Sequence, residues 1–103
     1  MRFLVITKNV HPVPMELFGM LVEGLQQWAD THLASGKIEQ TWSFSGQPAG
    51  GGILNVESHE ELEEIMTGFP FGNWAETQII PLSDLHRSIA GMRQAAERMA
   101  PPA

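Results

Sequence analysis

A chain of 103 residues with six Lys and Arg against twelve Asp and Glu carries a formal charge of −6. It has no basic stripe with which to neutralise nucleic-acid phosphates or an anionic membrane surface, so neither nucleic acid nor membrane is expected as a partner. The absence of cysteine excludes disulfides, thiolate nucleophiles and thiolate metal sites. The length fits one domain, residues 1–103, whose modest core gains from burying a face against another subunit.

Phe3 to Lys8, continuously apolar through Ile6 and rich in β-branched and aromatic residues, has the pattern of a central strand. The apolar run breaks at Thr7-Lys8-Asn9, too short for a signal-peptide core or a membrane span, and a soluble, cytoplasmic protein is expected. His11-Pro12-Val13-Pro14 interrupts regular structure, because each proline lacks a backbone donor and restrains its predecessor. Pro14 then stands just ahead of a helix from Met15 to Ala34, with Glu16 favourable at its positive end. At about 100° per residue, Phe18, Leu21, Leu25, Trp28, Ala29 and His32 share one face of that helix. Glu23, Gln27 and Asp30 take the opposite side, and Gly36 is placed to end the helix.

From Lys37 to Ser45 the residues alternate, which predicts a strand with Ile38, Gln40, Trp42 and Phe44 on one face. A long turn, Gly46 to Gly52, separates it from a second strand, Ile53 to Val56, and the two read as a β-hairpin. Ser58-His59-Glu60-Glu61 is a capping box in which the serine caps and Glu61 reaches back. The helix that follows buries Leu62, Ile65 and Met66 and ends at Gly68. An aromatic turn, Phe69-Pro70-Phe71-Gly72-Asn73, precedes a fourth strand from about Trp74 to Leu82. Ser83 or Asp84 caps a last helix carrying Leu85, Ile89, Met92, Ala96 and Met99 along one side, and the tail Pro101-Pro102-Ala103 is expected to fray.

The order β-α-β-β-α-β, with a C-terminal helix and tail over about residues 84–103, predicts an α+β, ferredoxin-like fold. Both helices between the strands cover one face of its sheet. Pairing two sheets covers the other, so a homodimer or higher homo-oligomer, a dimeric α/β barrel, is expected.

Three pieces of the chain resemble the muconolactone isomerase family. Gly36-Lys37-Ile38-Glu39-Gln40-Thr41-Trp42-Ser43-Phe44-Ser45-Gly46 resembles a family strand with glycine, tryptophan and glycine at the same intervals. Asn55-Val56-Glu57-Ser58-His59-Glu60-Glu61-Leu62 resembles the family's strand end and capped second helix, and Phe69-Pro70-Phe71 with Trp74 and Leu82 its turn and last strand. The resemblance implies a dimeric α+β barrel. It implies activity less directly: the family's lysine- and carboxylate-rich segment on the first helix here reads Val22-Glu23-Gly24-Leu25-Gln26-Gln27, without the lysine.

His32 is the candidate acid or base, lying in the apolar stripe beside Trp28; the alternative is a histidine that only satisfies a local partner. Trp28, Trp42 and Trp74 are candidate walls of an aromatic pocket, or large side chains filling a small core. Gln40, polar on an otherwise apolar strand face, needs a ligand, a water or another subunit as its partner. Asn9 and His11 are placed at a pocket mouth or in a solvated loop. No metal is expected, because the four histidines lack ligand spacing. No cofactor is expected either, since Gly50-Gly51-Gly52 lacks the following helix and nearby lysine of a phosphate loop. Three functions fit: a cofactor-free isomerase or related enzyme moving protons on a small cyclic or aromatic metabolite, a non-catalytic ligand-binding or accessory protein, and a cofactor-independent monooxygenase.

Overall fold

The computed structural model describes residues 1–101, so of the expected frayed tail Pro102 and Ala103 lie outside the described residues. In chain order the elements are β1 (Arg2–Asn9), α1 (Met15–Ala34), β2 (Ile38–Ser43), β3 (Ala49–Asn55), α2 (His59–Thr67), a 3-10 turn (Gly72–Trp74), β4 (Ala75–Leu82) and α3 (Leu85–Met99). The four strands form one antiparallel sheet in the order β2-β3-β1-β4. This is the ferredoxin-like α+β arrangement expected from the element order. Among the described residues no helix is long and apolar enough to cross a membrane.

Local chemistry explains the helix ends. Pro14 precedes α1 with its ring-fixed φ of −58°, and Glu16 sits in the first turn. At the far end Gly36 adopts φ +78°, a left-handed backbone that costs glycine little, while its N–H donates to Leu33 O. Ser58 Oγ accepts from Glu61 N–H at 3.1 Å and caps α2. The Glu61 carboxylate does not complete the expected reciprocal box. It pairs instead with Lys37 Nζ at 2.7 Å, because the end of the α1–β2 connection brings a cation beside it.

Two expectations for the hairpin are corrected. Alternation from Ile38 through Phe44 does not hold, because a β-bulge lies between Ile38 and Gln40. Ile38 pairs with Leu54 and faces the helices, whereas Gln40 pairs with Ile53 and Trp42 with Gly51, on the opposite face. The predicted turn over Gly46–Gly52 is also shorter: Phe44 N–H already donates to Ala49 O at 2.9 Å, and Gly50, Gly51 and Gly52 lie within β3. Glycine has low strand propensity, but β3 is paired on both sides, and ladder hydrogen bonds hold its backbone in place. A Cβ on Gly52 would stand 2.8 Å from Gln40 O and 3.3 Å from Thr41 Oγ1, so the close approach of β2 requires the bare backbone.

The core lies between the sheet and the helices. Phe3, Val5, Ile38 and Leu54 point from the strands to meet Val56, Leu62 and Ile65, with Trp28 and Met66 against them. The outer face of the sheet is different. Leu4, Ile6, Ile53 and Ile80 are half-buried there, and Trp42 and Leu82 are exposed, so a connected apolar surface faces away from both α1 and α2. Across this face Arg2 forms a two-pronged ion pair with Glu39, at 3.2 and 2.8 Å. No residue of α3 is buried, and Leu85 and Met92 are each 65% exposed. The molecule measures 71 × 28 × 23 Å with a radius of gyration of 18.4 Å, against about 13 Å for a compact chain of this length. The excess reflects the projection of α3.

Candidate functional site

Between α1 and the inner face of the sheet lies a cavity of about 480 Å³. Its roof is the apolar stripe of α1, including Phe18, Val22, Leu25, Trp28 and Ala29, and one end is closed by Phe69 and Phe71 of the aromatic turn. The turn and helix are held together by aromatic contacts: Trp28 meets Phe69 edge-on at 5.2 Å between ring centroids, and Phe18 meets Phe71 at 6.2 Å. Trp28 Nε1 also donates to Ile65 O at 3.0 Å, which fixes the indole and ties α1 to α2.

The floor follows from strand register. Paired residues share a face, so the inner face carries rows that run across β1, β3 and β2. Phe3, Leu54 and Ile38 form an apolar row; Val5, Gly52 and Thr41 form the next; Thr7, Gly50 and Ser43 form a third, with Asn9 beyond. Polarity therefore increases toward the hairpin. In the second and third rows the central position is glycine, so the floor between the flanking side chains is bare. The absence of those two side chains creates much of the space.

The five candidate residues separate. Trp28 lines the cavity, and Trp42 borders it at the β2 edge of the sheet. His32 stands outside, one helical turn beyond Trp28, with the two rings edge-on at 5.3 Å. Gln40 is on the outer face as a result of the bulge. Trp74 sits in the 3-10 turn, where its carbonyl accepts from Val10 and His11 N–H, and it does not line the cavity. Asn9 lines the cavity and His11 is exposed outside it. Sequence reasoning missed Thr7, Thr41, Ser43, Phe69 and Phe71 as lining residues. The Phe69-Pro70-Phe71 turn was the available signal, since two exposed-looking aromatics around a proline need a surface to cover.

No cavity-lining residue is ionisable. The polar groups of its lining residues are hydroxyls, one side-chain amide, two indole N–H groups, of which that of Trp28 is committed to Ile65 O, and backbone. Thr41 Oγ1 donates to Gly51 O at 2.9 Å and keeps its lone pairs to accept. Among the described residues no three His, Asp or Glu side chains converge to hold a metal. A second, shallower groove between α2 and β4 does carry ionisable groups, His59 and Glu63, beside Leu62 and Ile79.

A four-stranded antiparallel sheet with a largely apolar chamber beneath its first helix defines an α+β protein of the ferredoxin-like class. The solved structure of a muconolactone isomerase superimposes with a TM-score of 0.74 at 21% identity, covering 82% of this chain and 90% of that one. A 5-chloro-2-hydroxyhydroquinone dehydrochlorinase from Burkholderia phenoliruptrix, solved with 2,5-dihydroxybenzoquinone, gives 0.67 at 16% identity, covering 84% and 98%. Muconolactone Delta-isomerase 1 of Acinetobacter lwoffii is 29% identical over 70 residues, 68% of this chain and 73% of its own length. The sequence profile of the muconolactone delta-isomerase family matches residues 1–88, and the chain belongs to that family.

Proposed function

We propose that this protein takes a small cyclic or aromatic metabolite into the cavity between α1 and the sheet, without a cofactor, and acts as a cytoplasmic homodimer or higher homo-oligomer. The cavity carries the reading. Its volume lies in the range usual for small-molecule sites, about 300–1,000 Å³, and its apolar walls with a few convergent polar groups are typical of them. Trp28, through its ring, and Trp42, through its backbone beside Gly50, are the proposed ligand-binding residues among the tryptophans. The geometry favours binding over acid–base turnover, because proton transfer between carbons needs a base within hydrogen-bond reach and no lining residue is ionisable.

The second reading is a cofactor-free isomerase with His32 as acid or base. It is favoured by the contact of His32 with the Trp28 indole, itself a cavity wall, and by membership of an isomerase family. A lactone and quinol screen on wild type and His32→Ala separates the two. Saturable tryptophan quenching without turnover supports the binding protein. Turnover lost in a folded His32→Ala variant establishes the enzyme, and unchanged turnover removes His32 from the chemistry.

The homodimer rests on the outer sheet face, whose apolar surface neither α1 nor α2 covers. Gln40 belongs with that subunit contact. Light scattering at micromolar concentration is expected to give twice 11.4 kDa or a higher multiple; a monomer mass sinks the proposal.

A further inference from the structure

The same cavity also constrains the charge of its ligand, an inference that rests on the cavity being the ligand site. A buried carboxylate needs a cation or several donors to replace its water, and without them it binds poorly. This cavity offers no lysine, arginine or histidine, and equally no carboxylate to greet an ammonium group. The cations nearest in sequence stay out of it: Lys8, between Thr7 and Asn9, alternates to the outer face and is exposed, Lys37 is paired with Glu61, and Arg2 is paired with Glu39 on the outer face. What the floor offers is two neutral rows. Thr7 and Ser43 flank Gly50 from either side, and Thr41 and Val5 flank Gly52. Neighbouring strands lie about 4.8 Å apart, so the backbones of Thr7 and Ser43 are about 10 Å apart across β3. A single six-membered ring laid over the glycines fits within that span. Oxygen atoms on opposite sides of the ring would then meet a hydroxyl at each edge, while α1 and the aromatic turn cover its upper face.

We infer that the cavity selects an uncharged ring bearing one or two hydroxyl or carbonyl oxygens, held over Gly50 and Gly52 between the Thr7 and Ser43 hydroxyls, and discriminates against ring carboxylates. The hydroxyls suit either kind of oxygen, since each can donate and accept.

Calorimetric titration of the full chain with methylhydroquinone and with 2,5-dihydroxybenzoate tests this. The two probes share a ring and two hydroxyls and differ in a methyl against a carboxylate. The expected result is saturable binding of methylhydroquinone, with the carboxylate at least tenfold weaker. Val22→Lys places a cation on the cavity wall at a position 40% exposed, where a lysine stem reaches solvent. It is expected to narrow the ratio by tenfold or more. A wild-type ratio below tenfold, or a preference for the carboxylate, overturns the inference and leaves the cavity as the ligand site. Binding of neither probe overturns the cavity reading and this inference with it.

Discussion

At the residue scale, one ion pair links the α1–β2 connection to the start of α2. Glu61 Oε1 forms an ion pair with Lys37 Nζ at 2.7 Å and, with Glu57, favours the charged ammonium. The bond to Glu61 is the largest cause, partial desolvation opposes it, and the Lys37 pKa is raised above its ordinary value. Because the folded pKa lies above the unfolded one, the stabilising contribution is fully present below about pH 10.4 and is lost as pH rises through the raised folded value. Denaturant titrations of wild type and Lys37→Met at successive pH values from 9 to 12 are expected to converge at the alkaline end. A stability difference that stays constant across this window contradicts the assignment. Trp28 shows how one residue serves two purposes: its N–H is committed to Ile65, yet its ring remains available as a cavity wall.

At the scale of elements, β3 decides the cavity. A central strand with Gly50-Gly51-Gly52 is a poor local choice, and the sheet tolerates it because β1 and β2 hold its backbone from both sides. Gly52→Ala drives a methyl to within 2.8 Å of Gln40 O, a backbone atom that moves only with its strand. The expected cost is about 1–3 kcal/mol, as for other overpacked sites. Chemical denaturation measures it, and a change below about 0.5 kcal/mol would show that β2 yields without strain. The helix pattern was legible in the sequence, because a 3.6-residue period is written into the chain itself. Phe18, Leu25, Trp28 and Ala29 do face the cavity, whereas His32 continues the same stripe past its end. The strand faces were less legible. Two extra features intervened, a bulge at Ile38–Gln40 and a glycine run that belongs to a strand, and both are fixed by pairing rather than by local pattern.

At the scale of the whole molecule, element order specified the α+β fold, and the structure bears it out. The polar row of the cavity was invisible at that level. Thr7, Ser43 and Gly50 are brought side by side only by the β1-β3-β2 register, so no window of sequence contains them together. The aromatic turn joins them from farther along the chain. Family membership then identifies the scaffold, while the charge-free lining of this chamber sets the chemistry available within it.

The proposed entry of ligand beneath α1 is open to a direct test, because the chain's three tryptophans stand at different distances from the cavity. Trp28 and Trp42 border the cavity, and Trp74 does not. In a two-dimensional nitrogen–proton NMR titration with methylhydroquinone, the Trp28 indole signal and the backbone amides of Thr41 to Ser43 and of Gly50 to Gly52 are expected to shift together and saturate, with the Trp74 indole unmoved. Movement of Trp74 without the others, or no shift at any of them, would show that the cavity beneath α1 is not the ligand site.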